Sequence, residues 1–376
     1  MIETQYVTGT PADHDDIVDF GNYVFSQAHV PHDFKQLLPK AYADGVKGIE
    51  EWHFLAKQNG RIRAMVACKP LTMHVLDKTL HYGSVGTVSV HPYSRGEGHM
   101  KELMSRMMAD AKAKGDDLLF LGGQRQRYNY FGFEQAGLGF SCEIIPANVR
   151  HALKNVDASG VTFSELTEEK PEEVDYACRL SQEQPVHGER ARDEFLAIMH
   201  SWKSSCRLIR IDGRMAGYIM GNGRELALED ESLLPAVIKA LFEQNPDLKS
   251  VHMGASPCCP ERVHFLANLC EGVAVEHVEL INVFNWKNVI EAFLLLKASY
   301  MALEDGKVCV RVDGQTVTIR VKDGVPSVTE GGENSIDMGH MEAQRLFFGL
   351  EQTILPDPKY KNWLPLPFYI STADTF

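Results

Sequence analysis

The chain has 376 residues, 44% of them apolar and 24% charged, with 51 acidic against 38 basic side chains and a net charge of −13. That length exceeds a single domain and can bury two or three hydrophobic cores. The basic footprint needed for nucleic acid is missing, and no apolar run reaches the ~20 residues of a membrane helix, so neither nucleic acid nor membrane is an expected partner.

The opening Met1-Ile-Glu-Thr-Gln lacks the basic and apolar regions of a secretory leader, which makes a cytoplasmic protein the expectation. Eight cysteines are scattered with no C-x-x-C pair, and fifteen histidines show no H-E-x-x-H spacing. No disulfide framework and no metal are therefore expected.

In chain order, Pro11-Ala-Asp-His-Asp-Asp opens a helix with Ile17, Val18, Phe20, Val24 and Phe25 on its apolar side. Trp52–Lys57 and Ile62–Cys68 read as strands around the hairpin signal Asn59-Gly60. Leu71–Leu76 and Leu80–Gly83 form another pair around Asp77-Lys78. A buried strand then ends in Val88, Ser89 and Val90 and runs into His91-Pro-Tyr-Ser-Arg-Gly-Glu-Gly-His-Met. Met100, Leu103, Met104, Met107, Met108 and Ala111 recur at helical spacing, with Gly115 as the stop signal. Leu118–Leu121 is the next buried strand, ended by Gly122-Gly123.

This strand–loop–helix–strand unit is a device for holding an anion. A helix N-terminus presents unpaired N–H groups and the positive end of its dipole. Gly96 and Gly98 let phosphate oxygens approach the backbone, and Arg95 adds a charged fork. Glu97, His99 and Met100 complete the loop.

After the acidic stretch 168–173 the pattern repeats loosely. Arg207–Ile211 and Met215–Met220 form a hairpin, Leu233–Phe242 a helix and Ser250–Met253 a strand, but no comparable glycine loop follows. From about 280, Asn285–Leu303 reads as a helix, Val308–Val312 and Thr316–Val321 as a hairpin around Asp313-Gly314, and Asp337 as the cap of a late helix. The run from Trp363 to Tyr369 reads as extended and packed.

The run Arg95-Gly-Glu-Gly-His-Met resembles the acyl-CoA-binding motif of GNAT acetyltransferases, with Met100 in place of the usual small last residue. Tyr128-Asn-Tyr-Phe-Gly-Phe, the long chain and the last residue Phe376 together resemble the Eis (enhanced intracellular survival) acetyltransferases of bacteria. The resemblance implies an α/β (α+β) chain of tandem GNAT folds, the second degenerate, followed by a unit like sterol carrier protein 2. The corresponding divisions are 1–150, 151–278 and 279–376.

It also implies an acetyl-CoA-dependent N-acetyltransferase acting on a small-molecule or peptide amine, and it allows a trimer or hexamer. Backbone N–H groups near Val88–Val90 then polarise the acyl carbonyl. Tyr128, three residues before Phe131-Gly-Phe, matches the family's general acid, and the carboxylate of Phe376 its base. Phe25, Asp33, Phe34 and Trp52 fall where the family lines its amine site, and Asp374 offers a carboxylate to a cation. The acidic surface suits a cationic amine. The rival expectations are a different acyl donor, or a non-catalytic protein that binds acyl-CoA or lipid.

Overall fold

A computed structural model describes residues 3–28 and 30–376, the side chain of Ala28 excepted; Met1 and Ile2 of the leader reading lie outside it. In chain order the first elements are β1 (Thr4–Thr8), α1 (His14–Ala28), α2 (Phe34–Leu37), α3 (Pro39–Tyr42), β2 (His53–Gln58), β3 (Arg61–Val75), β4 (Lys78–Val90), α4 (His99–Lys114), β5 (Leu118–Leu121), α5 (Arg125–Tyr128), β6 (Glu134–Ala136) and β7 (Gly139–Ile144). Then come α6 (Pro146–Ala152), β8 (Val161–Glu165), α7 (Pro171–Gln182), β9 (Val186–Gly188), α8 (Phe195–Met199), β10 (Cys206–Ile211), β11 (Arg214–Met220), β12 (Glu225–Leu228), α9 (Leu234–Glu243), β13 (Val251–Ala255), α10 (Pro260–Leu269) and β14 (Val273–Glu276). The last are β15 (Glu279–Val283), α11 (Trp286–Tyr300), β16 (Gly306–Val312), β17 (Gln315–Lys322), β18 (Val325–Glu330), β19 (Ile336–Asp337), α12 (His340–Phe348) and α13 (Glu351–Ile354).

The fold is mixed α/β. Its largest sheet runs β1-β2-β3-β4-β5-β15-β6, with β9 beside the far end of β3. Among the described residues only β4 and β5 pair in parallel there. The alternation of β5 explains its wholly apolar sequence. Leu119 and Leu121 face α4 through Leu103, Met104 and Met107. Leu118 and Phe120 face α11 through residues such as Phe293 and Leu296. A strand covered by helices on both faces needs apolar side chains at every position. On the α11 side of β2–β4, α1, α2 and α3 pack Ile17, Phe34 and Tyr42 against Leu55 and Met65.

Three local expectations are corrected. The strands expected at 62–68 and 71–76 are one fifteen-residue strand, β3, which turns only at Leu76. Pro70 does not break it because pairing with β2 ends at Ala67 and pairing with β9 begins at Met73; a strand edge between partners needs no donor. Asp337 caps no helix. It lies in β19 with both oxygens on Arg311 (2.7 and 2.6 Å), and Gly339 is the N-cap of α12. The helix expected over Asn285–Leu303 is α11, capped by the Asn285 side chain on Asn288 N–H and ended at Tyr300.

Strand pairing crosses the divisions at 150/151 and 278/279. The middle region holds a sheet β12-β11-β10-β8 and a separate one, β13-β7-β14, to which β7 comes from before residue 150. In the other direction, β15 lies between β5 and β6, pairing antiparallel with both. The fourth sheet, β18-β17-β16-β19, packs against α11. Among the described residues no helix is long and apolar enough to cross a membrane.

Insertion of β15 leaves Glu279 half-buried beside Gly122, and desolvation pushes its carboxyl up to about 7. The folded chain therefore keeps a proton that the unfolded carboxyl releases near its ordinary 4.5. Stability from this group is complete below that value and is lost as pH rises through about 7. Glu279→Gln should remove that loss, so urea midpoints of native and variant chains should diverge between pH 4.5 and 7. Parallel curves would show that burial does not hold the proton.

Candidate active site

The anion loop is built as its residue types require. Gly96 and Gly98 have φ of +88° and +83°, conformations that L side chains rarely adopt. A Cβ at either would meet nothing within 4 Å, so glycine is there for the backbone turn and not for packing. Gly98 is the N-cap of α4, whose first turn opens onto a cleft of about 1040 Å³. Its walls include Val88 and Val90 of β4, the loop Arg95–Gly96 and Gly98–Met100, Val24 and Phe25 of α1, and Tyr130 and Phe131.

Two of the expected contact residues turn their side chains elsewhere. The Ser89 hydroxyl donates to Thr87 O (2.8 Å) inside the fold. Glu97 accepts from Gln58 Nε2 (2.9 Å) and lies 3.1 Å from His99 Nε2. The Gln58 bond, followed by His99, holds its carboxyl below the ordinary range. His99 is buried, with Nδ1 2.9 Å from the Tyr6 hydroxyl, so its ring braces the loop from behind.

The cleft also gathers cations that sequence reasoning missed. Lys101 and Arg127 join Arg95 on its walls, with Gln124 beside them. Lys101 Nζ sits 5.0 Å from the centroid of the Tyr130 ring. In a chain of net charge −13 this is a local positive pole. Lys101 follows the loop at helical spacing and was legible as a cation near a helix start; Arg127 had no such signal.

Tyr128 and Tyr130 separate clearly. Tyr130 is 66% exposed at the cleft rim. Tyr128 is 6% exposed and packs among Leu121, Met104 and Phe133. Gly123 lets its ring lie against the backbone, since a Cβ there would stand 2.6 Å from it. Burial raises the Tyr128 phenol, with Arg127 opposing.

On the opposite face of the sheet, Phe376 lies directly on β4. A Cβ on Gly86 would overlap its ring, and the Tyr42 ring meets it edge-on at 6.1 Å. Buried Lys40 holds the approach to it, donating from Nζ to Ala373 O (2.6 Å) and to Thr375 O. Arg190, also buried, binds Asp374 through Nε and Nη2 (2.8 and 3.0 Å) and Glu225 through Nη1 and Nη2 (2.7 and 2.8 Å). Tyr218 (2.5 Å) and Ser371 donate to the same Glu225.

The expected amine contacts are differently employed. Both Asp374 oxygens are on Arg190, so this carboxylate anchors the tail. Asp33 caps α2, accepting from Lys35 N, Gln36 N and Gln36 Nε2. Phe34 is in the core, Phe25 lines the cleft, and Trp52 lies under Lys69 Nζ at 5.0 Å. The carboxylates near the tail are instead Glu189 and Glu194, which share a small cavity with Lys40, Lys69 and Phe376. Among the described residues no cluster of His, Cys, Asp and Glu could hold a metal.

A sequence model of the acetyltransferase (GNAT) domain matches residues 5–136. No curated protein matches the chain in sequence. Among solved structures, the fold is similar to a probable N-acyltransferase from Enterococcus faecalis V583 (15% identity, 100% of both chains, TM-score 0.70). It is likewise similar to a GCN5-related N-acetyltransferase from Kribbella flavida (15% identity, 100% of this chain and 99% of that one, TM-score 0.67) and to Eis1 from Mycobacterium abscessus (14%, 100% of both, TM-score 0.65). At these identities the likeness concerns the fold. The anion loop at the head of α4 and the cleft beside it lie within the segment, residues 5–136, that matches the acetyltransferase (GNAT) domain.

Proposed function

We propose that the chain transfers an acetyl group from acetyl-CoA directly to a primary amine of a cationic acceptor, in the manner of the Eis enzymes. The observation that carries this reading is the meeting of two arrangements across one strand. The anion loop and its cleft lie where β4 ends, and Phe376 presses on Gly86 a few residues before. Donor held at the loop and acceptor held at the tail would meet along the stretch between Gly86 and Val90.

The residues then divide the work. Arg95, Lys101, Arg127 and the first turn of α4 hold the pyrophosphate. Backbone N–H groups of Val88–Val90 stabilise the oxyanion as the amine attacks the thioester carbonyl. Tyr128 donates to the departing thiolate, a base of pKa about 8.5 by analogy with cysteine; burial raises the phenol and so widens the mismatch between donor and acceptor. The carboxylate of Phe376 orients the ammonium and receives its proton. Glu189 and Glu194 lie beside Phe376 on the acceptor side, together with Lys40 and Lys69. Divisions at 1–150, 151–278 and 279–376, with a sterol-carrier-like third unit, belong to the same reading.

The test is thiol release from acetyl-CoA against a panel of amines, with the native chain and one extended by a glycine after Phe376. Amine-dependent release that is lost on extension supports both transfer and the terminal carboxylate. Release that survives extension refutes the role of the carboxylate alone, and acetyl-CoA binding without release refutes amine acetylation.

Two substitutions probe the tail. Gly86→Ala places a methyl where the Phe376 ring lies and should lower kcat by about 100-fold, as an ångström-scale displacement does, while CoA affinity changes little. Equal loss of CoA binding would place the damage in the loop instead. Lys40, depressed to about 7 by burial, is deprotonated in the folded chain well below its ordinary 10.5. Across that interval the unfolded chain binds one more proton, so this group makes stability rise with pH between about 7 and 10.5. Lys40→Met should flatten the rise between pH 7 and 9 in urea denaturation; an unchanged slope would contradict the burial.

A further inference from the structure

The strand that joins the two faces is irregular at one place. Pairing of β3 with β4 passes from Ala67↔Gly86 to Met65↔Ser89, so Thr87 and Val88 together face the single residue Val66. This is a β-bulge, with the local turn and twist that such an insertion brings. Thr87 has φ +43°. A β-branched residue in that region is a steric outlier, and such strain persists only where surrounding contacts hold it. Glycine would adopt this backbone freely. Threonine is reasonable there only if its side chain is used.

It is used in a buried chain of hydrogen bonds. Thr87 Oγ1 is 2.9 Å from the Tyr42 hydroxyl, which is 3.1 Å from His53 Nε2; His53 Nδ1 is 2.6 Å from Ile49 O. All three side chains are buried. Proton counting orders the chain. Ile49 O can only accept, so His53 Nδ1 carries a hydrogen. Burial pulls His53 down to about 4, so near neutral pH Nε2 is bare and accepts from Tyr42. The one phenolic proton is used there, and Thr87 must donate to Tyr42. Each hydroxyl has one role, and the strained residue stands at the end of a fixed chain. The same Tyr42 ring meets Phe376 edge-on.

We propose that Tyr42 and His53 are positioning residues that lock Thr87 in its left-handed conformation, holding the β4 bulge that aims the backbone N–H groups at the acyl carbonyl and seats Phe376. This rests on the transferase reading for its catalytic consequence, but the lock itself is a property of the fold. Neither residue touches the reacting atoms; both act through Thr87.

The experiment compares Tyr42→Phe, Thr87→Gly and the double variant in the full chain. Three quantities are read: kcat, CoA affinity by calorimetry, and amide hydrogen exchange of a peptide spanning residues 84–90. Tyr42→Phe should lower kcat by about 10- to 100-fold, leave CoA affinity within about twofold, and speed exchange over 84–90. In the Thr87→Gly background there is no hydroxyl to lock, so adding Tyr42→Phe should change kcat and exchange by less than about twofold. His53→Gln, which keeps an acceptor for Tyr42, should retain more activity than His53→Leu. Full kcat in Tyr42→Phe, or the same loss with and without Thr87, would overturn the proposal. If the native chain acetylates no amine, exchange alone decides: faster exchange in Tyr42→Phe but not in the double variant upholds the lock and sinks the transferase reading, and unchanged exchange sinks the lock.

Discussion

Beyond Ser84, β4 has no strand partner on its β5 side among the described residues. The parallel pairing covers only Tyr82–Ser84 against Leu118–Phe120, and the two strands then part. Backbone donors in a protein interior are nearly always satisfied, and a stretch that leaves its partner must find another use for them. Here the freed stretch borders the cleft at Val88 and Val90. The bulge at Thr87, the glycine at 86 and the turn into α4 are all accommodations to that parting. So is the placement of an aromatic ring in the space beneath Gly86.

The tail that supplies this ring is fixed by charge as well as by packing. Arg190 lies between two carboxylates with every bond between 2.7 and 3.0 Å. A buried guanidinium is costly to desolvate, and it becomes tolerable when its planar fork is filled in this way. The stabilisation gained over an apolar core is small by that reasoning, whereas the geometric definition is large. Arg190 ties the end of β9 to the first residue of β12 and to a residue two positions from Phe376. The middle region thus serves as the anchorage of the chain's last residues.

What could be read from the sequence is local. The anion loop, α4 with its Gly115 stop, β5 and the Asn59-Gly60 and Asp313-Gly314 hairpins each rest on residues within a few positions of one another. The places where reading stopped are those where distance along the chain is large. Lys40 meets Thr375 across 335 positions, Arg190 meets Asp374 across 184, and β15 enters a sheet whose other long strands precede residue 122. Periodicity carries no information about such partners. Asp374 illustrates the limit: an acidic residue near a terminus looks like a free ligand for a cation until its buried arginine is known. Tyr42 and His53 left no trace either, since a buried aromatic and a lone histidine are ordinary core residues in a linear pattern.

The position of β15 has a consequence for how this molecule can be divided. The segment matched as an acetyltransferase domain, residues 5–136, contains β5 and β6 but not the strand that joins them. Cut there, β5 would show an open edge of Leu118–Leu121, and β6 would be a three-residue strand with no neighbour. The boundary drawn by sequence similarity is thus not a boundary of cooperative folding. The excised segment would be an exposed-edge fragment prone to self-association, and the smallest unit with an uninterrupted sheet extends at least to Val283.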